Sequence, residues 1–362
     1  MKNESRIFKE AKSIEKLNFF DEIILLGIHE EGLPNEWNLS DKIKVKLVKT
    51  YGVQNRLFQY MSLYFTLFRL MLIKKPKLVN LHNVELLPFS YIAKRIFKSY
   101  VVYDTHELET ERAHLAGNRQ SIYKKIEKRF IGYCDTVIVV GEAIAEFYIA
   151  QYPQIEKPIV VLNAPLYKDS IKKDIFRETL GIEKEKTIFL YQGVLGSGRS
   201  IEVLVEAFKK IDTNCVIVFM GYGPFENMLK KSSVKHSNIY FHKAVKPDIL
   251  FQYTASADFG ISMIEDICLS YHLCMPNKLF EYIMAEVPVI VSSLPEMRRI
   301  VLDNHAGVIV EHNSVDSLKE AINEAIKLNK DQIKLNLQKL KKVYNWERQE
   351  KVLLEAYKGL FT

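Results

Sequence analysis

The stretch from Pro276 to Ser293 contains residue types suited to binding a phosphate beside a sugar. Pro276 and Asn277 are typical of a helix start, because proline tolerates the first turn and asparagine caps free N–H groups. A helix N-terminus attracts phosphate, and Lys278 adds a full positive charge there. Glu281 follows one turn later and can accept hydrogen bonds from two neighbouring hydroxyls. The pattern fits a ribose joined to a diphosphate. It fits equally a solvated Lys278 and a Glu281 that only favours the helix dipole.

A glycine-rich turn at 193–200 is a second candidate for binding phosphate. It follows a predicted strand at 186–193 and precedes a predicted helix at 201–208. Glycines let backbone amides approach a phosphate closely, and Arg199 can bind one through two hydrogen bonds. The spacing does not meet the Gly-x-Gly-x-x-Gly pattern of dinucleotide sites. The alternative is a simple turn with a solvated arginine.

Two histidines follow predicted strands in the first half of the chain. His82 ends the strand at 77–82, and His106 comes just after the strand at 100–103. Ligands of open α/β sheets bind beyond the carboxyl ends of the strands, so both histidines lie where a site would form. The alternative for His106 is a strand-end histidine capped by Asp104.

The elements around these residues indicate a protein with parallel sheets. The segment 289–291 (Val-Ile-Val) is a strand buried on both faces, and 41–48 alternates polar and apolar residues like a half-exposed strand. The chain has 362 residues, which is enough for two domains with their own cores. Four scattered cysteines without C-x-x-C spacing suggest neither a zinc site nor a disulfide framework, and the charged first 20 residues are not typical of a signal peptide. We therefore expect a reduced, cytoplasmic setting.

The positive charge is concentrated in one region. The net charge is +7, and residues 51–100 alone hold eight Lys or Arg against one acidic residue. A local basic patch suggests an anionic partner, such as a membrane surface or a phosphorylated acceptor. We expect no nucleic-acid partner, because no nucleic-acid motif accompanies the charge.

The segment 57–73 is a largely apolar predicted helix within this basic region. It is too short, and with an internal arginine too polar, for a membrane span. One interpretation is an interfacial helix that touches anionic lipid beside the lysines at 74–77. The other, which its wide apolar face favours, is a helix packed on the sheet of the first domain. Its polar residues form one narrow stripe of Gln59, Ser62, Thr66 and Arg69.

Several segments resemble, in the expected order, the motifs of one enzyme family. The run 275–293 resembles the P-N-K-L-F-E-Y … P-V-I signature of retaining nucleotide-sugar glycosyltransferases, family 4. Residues 103–107 resemble its Y-D-x-H-E segment. Residues 158–165 and 221–224 resemble its V-x-N-x-P and G-x-G-P turns. The resemblance extends over nearly the whole chain and is strongest from Leu190 to Val310.

The resemblance implies the GT-B fold of this family. This is an α/β fold of two Rossmann-like parallel-sheet domains that face each other across a cleft, with a C-terminal helix crossing back to the first domain. Residues 1–168 would form the acceptor-binding domain, 169–344 the nucleotide-sugar domain and 345–362 the returning helix. Family members carry a first strand and a glycine-rich turn before the first helix, and this chain begins after them.

The resemblance also assigns roles to single residues. Lys278 and Arg199 would bind the donor diphosphate, Glu281 the ribose, and His106 would approach the donor sugar. Backbone groups of Lys243, Ala244 and Val245 would contact the base. The full set of expected donor contacts is Gly193, Val194, Arg199, Gly221, Lys243, Ala244, Val245, Asn277, Lys278, Leu279 and Glu281. His82 and Glu107 are candidates for the acceptor site, and Glu109 and Glu111 for shaping its pocket. Leu273 stands where many members have a second glutamate, so the loop 265–268 would supply that contact to the donor sugar.

The implied activity is the transfer of a hexose from a nucleotide-sugar, with retention of configuration. The acceptor would be a glycan or a polyprenyl-linked glycan of bacterial capsule, O-antigen or exopolysaccharide synthesis, at the inner face of the cytoplasmic membrane. The chain has no Asp-x-Asp, so we expect no metal and no cofactor. Two alternatives stay open: a nucleotide-sugar epimerase, and a non-catalytic partner that binds nucleotide-sugar or lipid.

Overall fold

The structure is a computed structural model that describes residues 5–48, 56–169, 172–211 and 214–361. The sequence predicts a first helix that begins at Asn3, and this start lies outside the described residues. The chain divides into two compact units. The first comprises Met1–Thr110, Leu115–Val161 and Glu350–Thr362, and the second Glu111–His114 and Leu162–Gln349. Both units are α/β structures built on parallel strands, which confirms the predicted fold class.

The first unit contains two sheets. The three-stranded sheet has the order β1-β3-β2, with β2 antiparallel to β3, and the four-stranded sheet β4-β5-β6-β7 is parallel throughout. The strands are β1 (Ile23–Ile28), β2 (Glu36–Asn38), β3 (Ile43–Val48), β4 (Leu78–Leu81), β5 (Tyr100–Asp104), β6 (Thr136–Val139) and β7 (Ile159–Val160). The helices are α1 (Ser5–Glu15), α2 (Arg56–Lys74), α3 (Pro88–Ile92), α4 (Gly117–Phe130) and α5 (Glu142–Gln151).

The apolar pattern explains how β3 and α2 pack. Alternate residues of β3 are buried, as the polar–apolar alternation predicted. The helix α2 has the predicted extent and buries one face, on which Leu63 and Met71 lie.

The second unit is organised around one six-stranded parallel sheet. Its strands are β8 (Thr187–Val194), β9 (Cys215–Tyr222), β10 (Ile239–Lys243), β11 (Phe259–Ser262), β12 (Val289–Ser292) and β13 (Gly307–Val310). Its helices are α6 (Ile175–Leu180), α7 (Ile201–Phe208), α8 (Glu226–Lys235), α9 (Pro247–Thr254), α10 (Leu269–His272), α11 (Asn277–Met284), α12 (Pro295–Asp303), α13 (Val315–Ala325) and α14 (Lys330–Leu340). The last helix is α15 (Trp346–Gly359), and the chain passes from the second unit to the first within this helix, between Gln349 and Glu350.

The strand order of this sheet determines where its site forms. The order is β10-β9-β8-β11-β12-β13, with every pair parallel. Counted from β8, this is the 3-2-1-4-5-6 order of doubly wound folds, and the order reverses between β8 and β11. Such folds bind ligands beyond the carboxyl ends of the strands at this reversal. Successive residues of β8 pack on opposite faces, with Ile188 in one core cluster and Phe189 in the other.

Three local expectations differ from the structure. The apolar run at the start of segment 158–165 predicts a strand that ends in a turn, but only the two residues of β7 form strand, with the Val161 N–H making the last bond to β6. The polar and basic composition of segment 168–181 predicts a linker between the domains, but this segment contains α6, whose Phe176 side chain lies in the core. The strand β2 carries Trp37 between two charged or polar residues and was not predicted.

Gly221 allows β8 and β9 to approach each other at their carboxyl ends. A Cβ on this residue would lie 1.8 Å from the Gly193 carbonyl oxygen, which is part of the backbone and cannot swing away. We therefore expect Gly221→Ala to reduce the free energy of unfolding by about 1–3 kcal/mol or more. Chemical denaturation followed by circular dichroism measures this loss.

Gly359→Ala in α15 is the matched control, because no described atom lies within 4 Å of a Cβ placed there. We expect it to be neutral or stabilising by about 0.5–1 kcal/mol. Equal stabilities of the two variants would show that the close approach at Gly221 does not limit the substitution.

Candidate functional site

The helix α11 begins at the end of the sheet with its first N–H groups uncapped. Pro276 is in the N-cap position with an extended backbone, and Asn277 is the first helical residue. No side chain of the described residues hydrogen-bonds to this N-terminus as a cap. The prediction that Asn277 caps the helix is therefore wrong, because Asn277 lies one residue too far along the chain. The uncapped N–H groups and the helix dipole favour an anion at this point.

Lys278 places its ammonium group in a buried position beside the turn after β8. Its Nζ lies 3.8 Å from the centre of the Tyr191 ring, and a Cβ on Gly193 would be 3.7 Å from it. The side chain as a whole is half-buried, but Nζ is closed off from solvent. Among the described residues, none supplies a hydrogen-bond partner to this Nζ. A buried ammonium with three unused donors is suited to receiving an anionic ligand.

The surroundings of Lys278 shift its pKa strongly. Burial and the nearby positive charge of Arg199, against the opposing effect of Glu281, together lower the pKa of Lys278 to about 7. The ammonium therefore changes charge near neutral pH in the unliganded protein. A diphosphate placed beside it would favour the charged form and raise this pKa again.

The glycine-rich turn holds Arg199 against an aromatic ring. The guanidinium lies 4.7 Å from the centre of the Tyr271 ring, a cation–π distance. Gly198 has φ +79°, and a Cβ there would be 2.6 Å from the Tyr271 ring. Glu265 secures the turn, because its Oε1 accepts from the Ser200 N–H (3.0 Å) and its own N–H donates to the Gly198 carbonyl (3.1 Å). The loop 265–268 was expected to contact the donor sugar. One carboxylate oxygen of Glu265 in this loop instead holds the turn that carries Arg199.

Glu281 is held by a residue that the sequence analysis did not identify. Gln192 donates from Nε2 to Glu281 Oε2 (2.5 Å) and accepts from Thr254 Oγ1 at its own Oε1 (2.8 Å). Its backbone N–H donates to Tyr282 Oη (3.1 Å). Gln192 is buried near the end of β8, so both ends of its amide are used to orient the carboxylate. A polar residue within a buried strand was the available signal. We name Gln192, Arg199, Lys278 and Glu281 the second-unit cluster.

Other predicted donor contacts lie around this cluster. Gly193 (φ +120°) and Val194 form the exposed end of β8, and Gly221 is at the matching end of β9. The Ala244 N–H donates to the Gly221 carbonyl (3.0 Å), which fixes the segment containing Lys243, Ala244 and Val245 beside β9. The Leu279 side chain, by contrast, is fully buried in the core, and its N–H donates to the Pro276 carbonyl (3.1 Å).

A second group of polar residues lies in the first unit at the ends of β4 and β5. His82 Nδ1 and His106 Nε2 share a hydrogen bond of 3.2 Å. Asp104 Oδ2 is 3.4 Å from His82 Nδ1 and 3.7 Å from His106 Nε2. The two histidines are partly exposed, while Asp104 is fully buried. The structure thus brings the two predicted histidines together around one carboxylate.

Arg6 and Glu10 of α1 complete this group, which we name the first-unit cluster (Arg6, Glu10, His82, Asp104 and His106). Arg6 Nη2 donates to Asp104 Oδ1 (3.0 Å), Arg6 Nη1 donates to the Val161 carbonyl (2.7 Å), and Arg6 Nε pairs with Glu10 Oε1 (2.6 Å). Both side chains are almost wholly buried. Sequence reasoning missed them because Arg6 and Glu10 have the i, i+4 spacing of an ordinary exposed helix pair.

These contacts set the charges in the first-unit cluster. Burial alone would raise the pKa of Asp104, but the Arg6 guanidinium and the two imidazoles hold it well below its usual range. Burial, reinforced by the charge of Asp104, raises the pKa of Glu10 well above its usual range. Burial lowers the pKa of His82 and outweighs the effect of Asp104, so this imidazole is neutral at pH 7.

The donor atoms of His82, Asp104 and His106 lie within 4.8 Å of one another, which is a spacing that a metal ion can bridge. The guanidinium of Arg6 already neutralises Asp104, and its charge opposes a second cation at this carboxylate. Arg6 therefore makes this group better suited to fixing imidazole orientation than to holding a metal.

The glutamates after His106 have different environments. Glu107 is partly exposed, and its carbonyl accepts from Thr105 Oγ1. The side chain of Glu109 is buried, and its Oε2 accepts from the Val84 N–H (3.4 Å). Glu109 therefore does not line an open pocket as expected, because it is used inside the unit.

The comparison with known protein families concerns the second unit. The family model described as glycosyl transferases group 1 matches residues 172–341, which include the whole second-unit cluster. This segment is similar to the group 1 family and makes up just under half of the chain. The matched segment starts before α6 and ends just after α14.

Known relatives are distant from this chain in sequence. The chain is 24% identical over 192 residues to an uncharacterized glycosyltransferase of Methanocaldococcus jannaschii, a match that spans 49% of this chain and 50% of that protein. It is 22% identical over 367 residues to the chitobiosyldiphosphodolichol beta-mannosyltransferase of Debaryomyces hansenii, with 87% of this chain and 75% of that protein covered.

Solved structures share the fold over nearly the whole chain. Sucrose-phosphate synthase from Thermosynechococcus elongatus superposes with a TM-score of 0.80 at 17% identity, covering 98% of this chain and 92% of that one. Anabaena HepE, solved with UDP and glucose, gives 0.72 at 16% identity, with 100% and 97% covered. WaaG, a glycosyltransferase involved in lipopolysaccharide biosynthesis, gives 0.68 at 15% identity, with 96% and 94% covered. These likenesses establish the GT-B fold.

The charge state of Lys278 predicts how ligand affinity depends on pH. A nucleotide-sugar diphosphate keeps its charge between about pH 6 and 9, while Lys278, with a pKa of about 7, changes its charge in this range. We expect full affinity below pH 7 and a loss of up to about tenfold per pH unit above it, because the free protein must then take up a proton to bind. Isothermal calorimetry at several pH values measures the profile.

The conservative variant Lys278→Arg is the control, because a guanidinium stays charged throughout this range. We expect its affinity to be nearly flat with pH. A wild-type profile as flat as that of Lys278→Arg would contradict a titrating lysine at the ligand.

The hydrogen bond from Gln192 predicts a positioning role for this residue. Gln192→Leu keeps the approximate volume but removes the donor to Glu281, and a hydrogen bond to a charged group contributes about 1.5–3 kcal/mol. We expect nucleotide affinity, measured by calorimetry, to fall at least about tenfold. Gln252→Leu, on the exposed face of α9, is the control and should bind like the wild type. If Glu281→Ala loses binding and Gln192→Leu does not, the amide does not position the carboxylate.

Proposed function

We propose that this protein transfers a hexose from a nucleotide-sugar to a glycan or polyprenyl-linked acceptor, with retention of configuration. One observation carries the proposal. The buried ammonium of Lys278 has no hydrogen-bond partner among the described residues, and it lies beside the glycine-rich turn of the segment similar to the group 1 family. The UDP and glucose bound by the structurally similar HepE agree with a nucleotide-sugar donor.

The second-unit cluster has the chemistry to release a nucleoside diphosphate. As the bond between the anomeric carbon and its phosphate oxygen breaks, negative charge grows on the diphosphate. Lys278, Arg199 and the N-terminus of α11 would stabilise that charge without a metal ion. Glu281, oriented by Gln192, would accept hydrogen bonds from the ribose hydroxyls. The backbone of residues 243–245 would contact the base.

His106 has the role in this proposal that the family resemblance implies. It would orient the donor sugar by hydrogen bonding, while the acceptor hydroxyl attacks the anomeric carbon and passes its proton to the leaving phosphate oxygen. Asp104 and Arg6 support this role, because they fix the imidazole pair in one arrangement. His82 and Glu107 are proposed to contact the acceptor. The synthesis of a bacterial surface polysaccharide is the process that we propose for this reaction.

Transfer and binding can be tested in one series. The protein is incubated with radiolabelled UDP-, GDP- and ADP-hexoses and polyprenyl diphosphate-linked glycan acceptors, in parallel samples with and without EDTA. We expect transfer from one nucleotide class, unaffected by EDTA, and a product whose anomeric configuration by NMR matches that of the donor. Lys278→Ala and Arg199→Ala should each reduce the rate at least about 100-fold.

Lys327→Ala, which removes an exposed lysine of the same unit, is the control and should keep the wild-type rate. Tight nucleotide-sugar binding without transfer to any acceptor would favour a non-catalytic binding partner. A converted sugar still attached to its nucleotide would indicate an epimerase. Loss of transfer with EDTA would contradict the metal-free mechanism.

A further inference from the structure

The helix α2 of the first unit has two apolar faces, of which only one is buried. Leu63 and Met71 are almost completely buried. On a different side, four residues spaced 4, 3 and 4 apart form one line along the helix. These residues and the adjacent Ile73, which we name the α2 stripe, have the exposed fractions Met61 56%, Phe65 69%, Phe68 38%, Leu72 51% and Ile73 62%. A large apolar patch of this kind on a folded protein marks an interaction site.

The segment of chain that contains α2 is strongly basic. From residue 42 to residue 84 the chain contains nine Lys or Arg and no Asp or Glu. Arg69, Lys75 and Lys77 are exposed beside or just after the stripe. Lys74 is also exposed but pairs with Glu22 (2.6 Å). An apolar strip bordered by cations fits a surface that is apolar within and negatively charged at its edge.

We propose that the α2 stripe lies on the surface of a membrane that contains anionic lipids. The apolar side chains would enter the boundary between headgroups and acyl chains, while the cations at 69–77 would contact lipid phosphates. The helix would lie in the plane of the interface. None of the helices in the described part of the chain has the length and hydropathy needed to cross a bilayer.

Charge makes a second copy of this chain a poor occupant of the same face. A two-fold dimer through the α2 stripe would bring Arg69, Lys75 and Lys77 of one copy near the same residues of the other. Like charges placed together across an interface oppose association. An anionic lipid surface supplies the opposite charge instead.

The sequence left this choice open and favoured packing on the sheet. The structure confirms the packing of one face of α2, and it leaves the opposite face exposed. The face with Leu63 and Met71 packs within the unit, and the α2 stripe lies beyond it, next to the narrow polar stripe that includes Arg69. Membrane contact does not rest on the proposed function, because it can be measured without donor or acceptor.

Vesicle flotation tests the proposal with the full-length protein. We expect binding to phosphatidylcholine vesicles that contain about 30% phosphatidylglycerol, and much weaker binding to phosphatidylcholine alone. Phe65→Ser with Leu72→Ser should reduce the partition coefficient at least about tenfold, because two exposed apolar side chains that would enter the membrane are lost. Lys75→Ser with Lys77→Ser should reduce it about fivefold per cation on the anionic vesicles and leave the weak binding to neutral vesicles unchanged.

Val234→Ser with Leu335→Ser is the matched control, since both side chains are exposed apolar residues on helices of the second unit. This variant should bind vesicles like the wild type. Circular dichroism confirms that each variant is folded, and none of the substitutions touches a buried side chain. The proposal is overturned if the α2 variant binds vesicles as tightly as the control. It is also overturned if light scattering shows a wild-type dimer that the α2 variant breaks, with no vesicle binding by either.

Discussion

The burial of one positive charge without a partner is the constraint around which the second unit is arranged. Removing an ammonium from water is costly unless something compensates, and here the face of Tyr191 offers only partial compensation to Lys278. The strand order brings the ends of β8 and β9 to this point, and α11 begins there uncapped. The donors are therefore already aligned before a ligand arrives, and an arriving anion finds few other groups to displace. Glu281 follows Lys278 on α11, and Gln192 donates a hydrogen bond to its carboxylate. The part of a ligand that lies against this carboxylate must therefore donate hydrogen bonds rather than carry negative charge.

Much of this arrangement was accessible from the sequence, because it depends on local patterns. The apolar periodicity of α11, the buried strand after it and the glycines before Arg199 each have a direct physical meaning, and the parallel fold follows from them. The turn residues at Gly221 were recognised in the same way. By contrast, the role of Gln192 depends on its hydrogen bond to Glu281, which lies 89 positions later in the sequence. The residues next to Gln192 in the sequence do not reveal that partner. The helix start at Asn277 was misjudged by one residue, which is enough to turn an apparent cap into a free end.

The first unit shows a different limit of sequence reasoning. Both histidines were placed correctly at strand ends, since strand ends can be read from runs of apolar residues. Their common partner could be suspected only as a local cap of His106, and the arginine that keeps Asp104 ionised comes from a helix 98 residues earlier. Its i, i+4 glutamate is typical of solvent-exposed pairs, yet here both groups are buried. Likewise, α2 was correctly predicted as a helix, but periodicity cannot tell which of two apolar faces meets the sheet.

The division of the chain into units determines which unit can complete its fold first during synthesis. The first unit includes residues 350–362, and Glu350 accepts hydrogen bonds from Ser13 (2.5 Å) and Lys16 (2.6 Å), while Tyr357 accepts one from Asn80 (2.9 Å). During synthesis the chain emerges from its N-terminus, so the second unit has all of its residues before the first one does. A ribosome must reach the last helix before α1 and β4 can form these bonds. A premature stop there would leave the earliest part of the chain, and not the latest, with its structure unfinished.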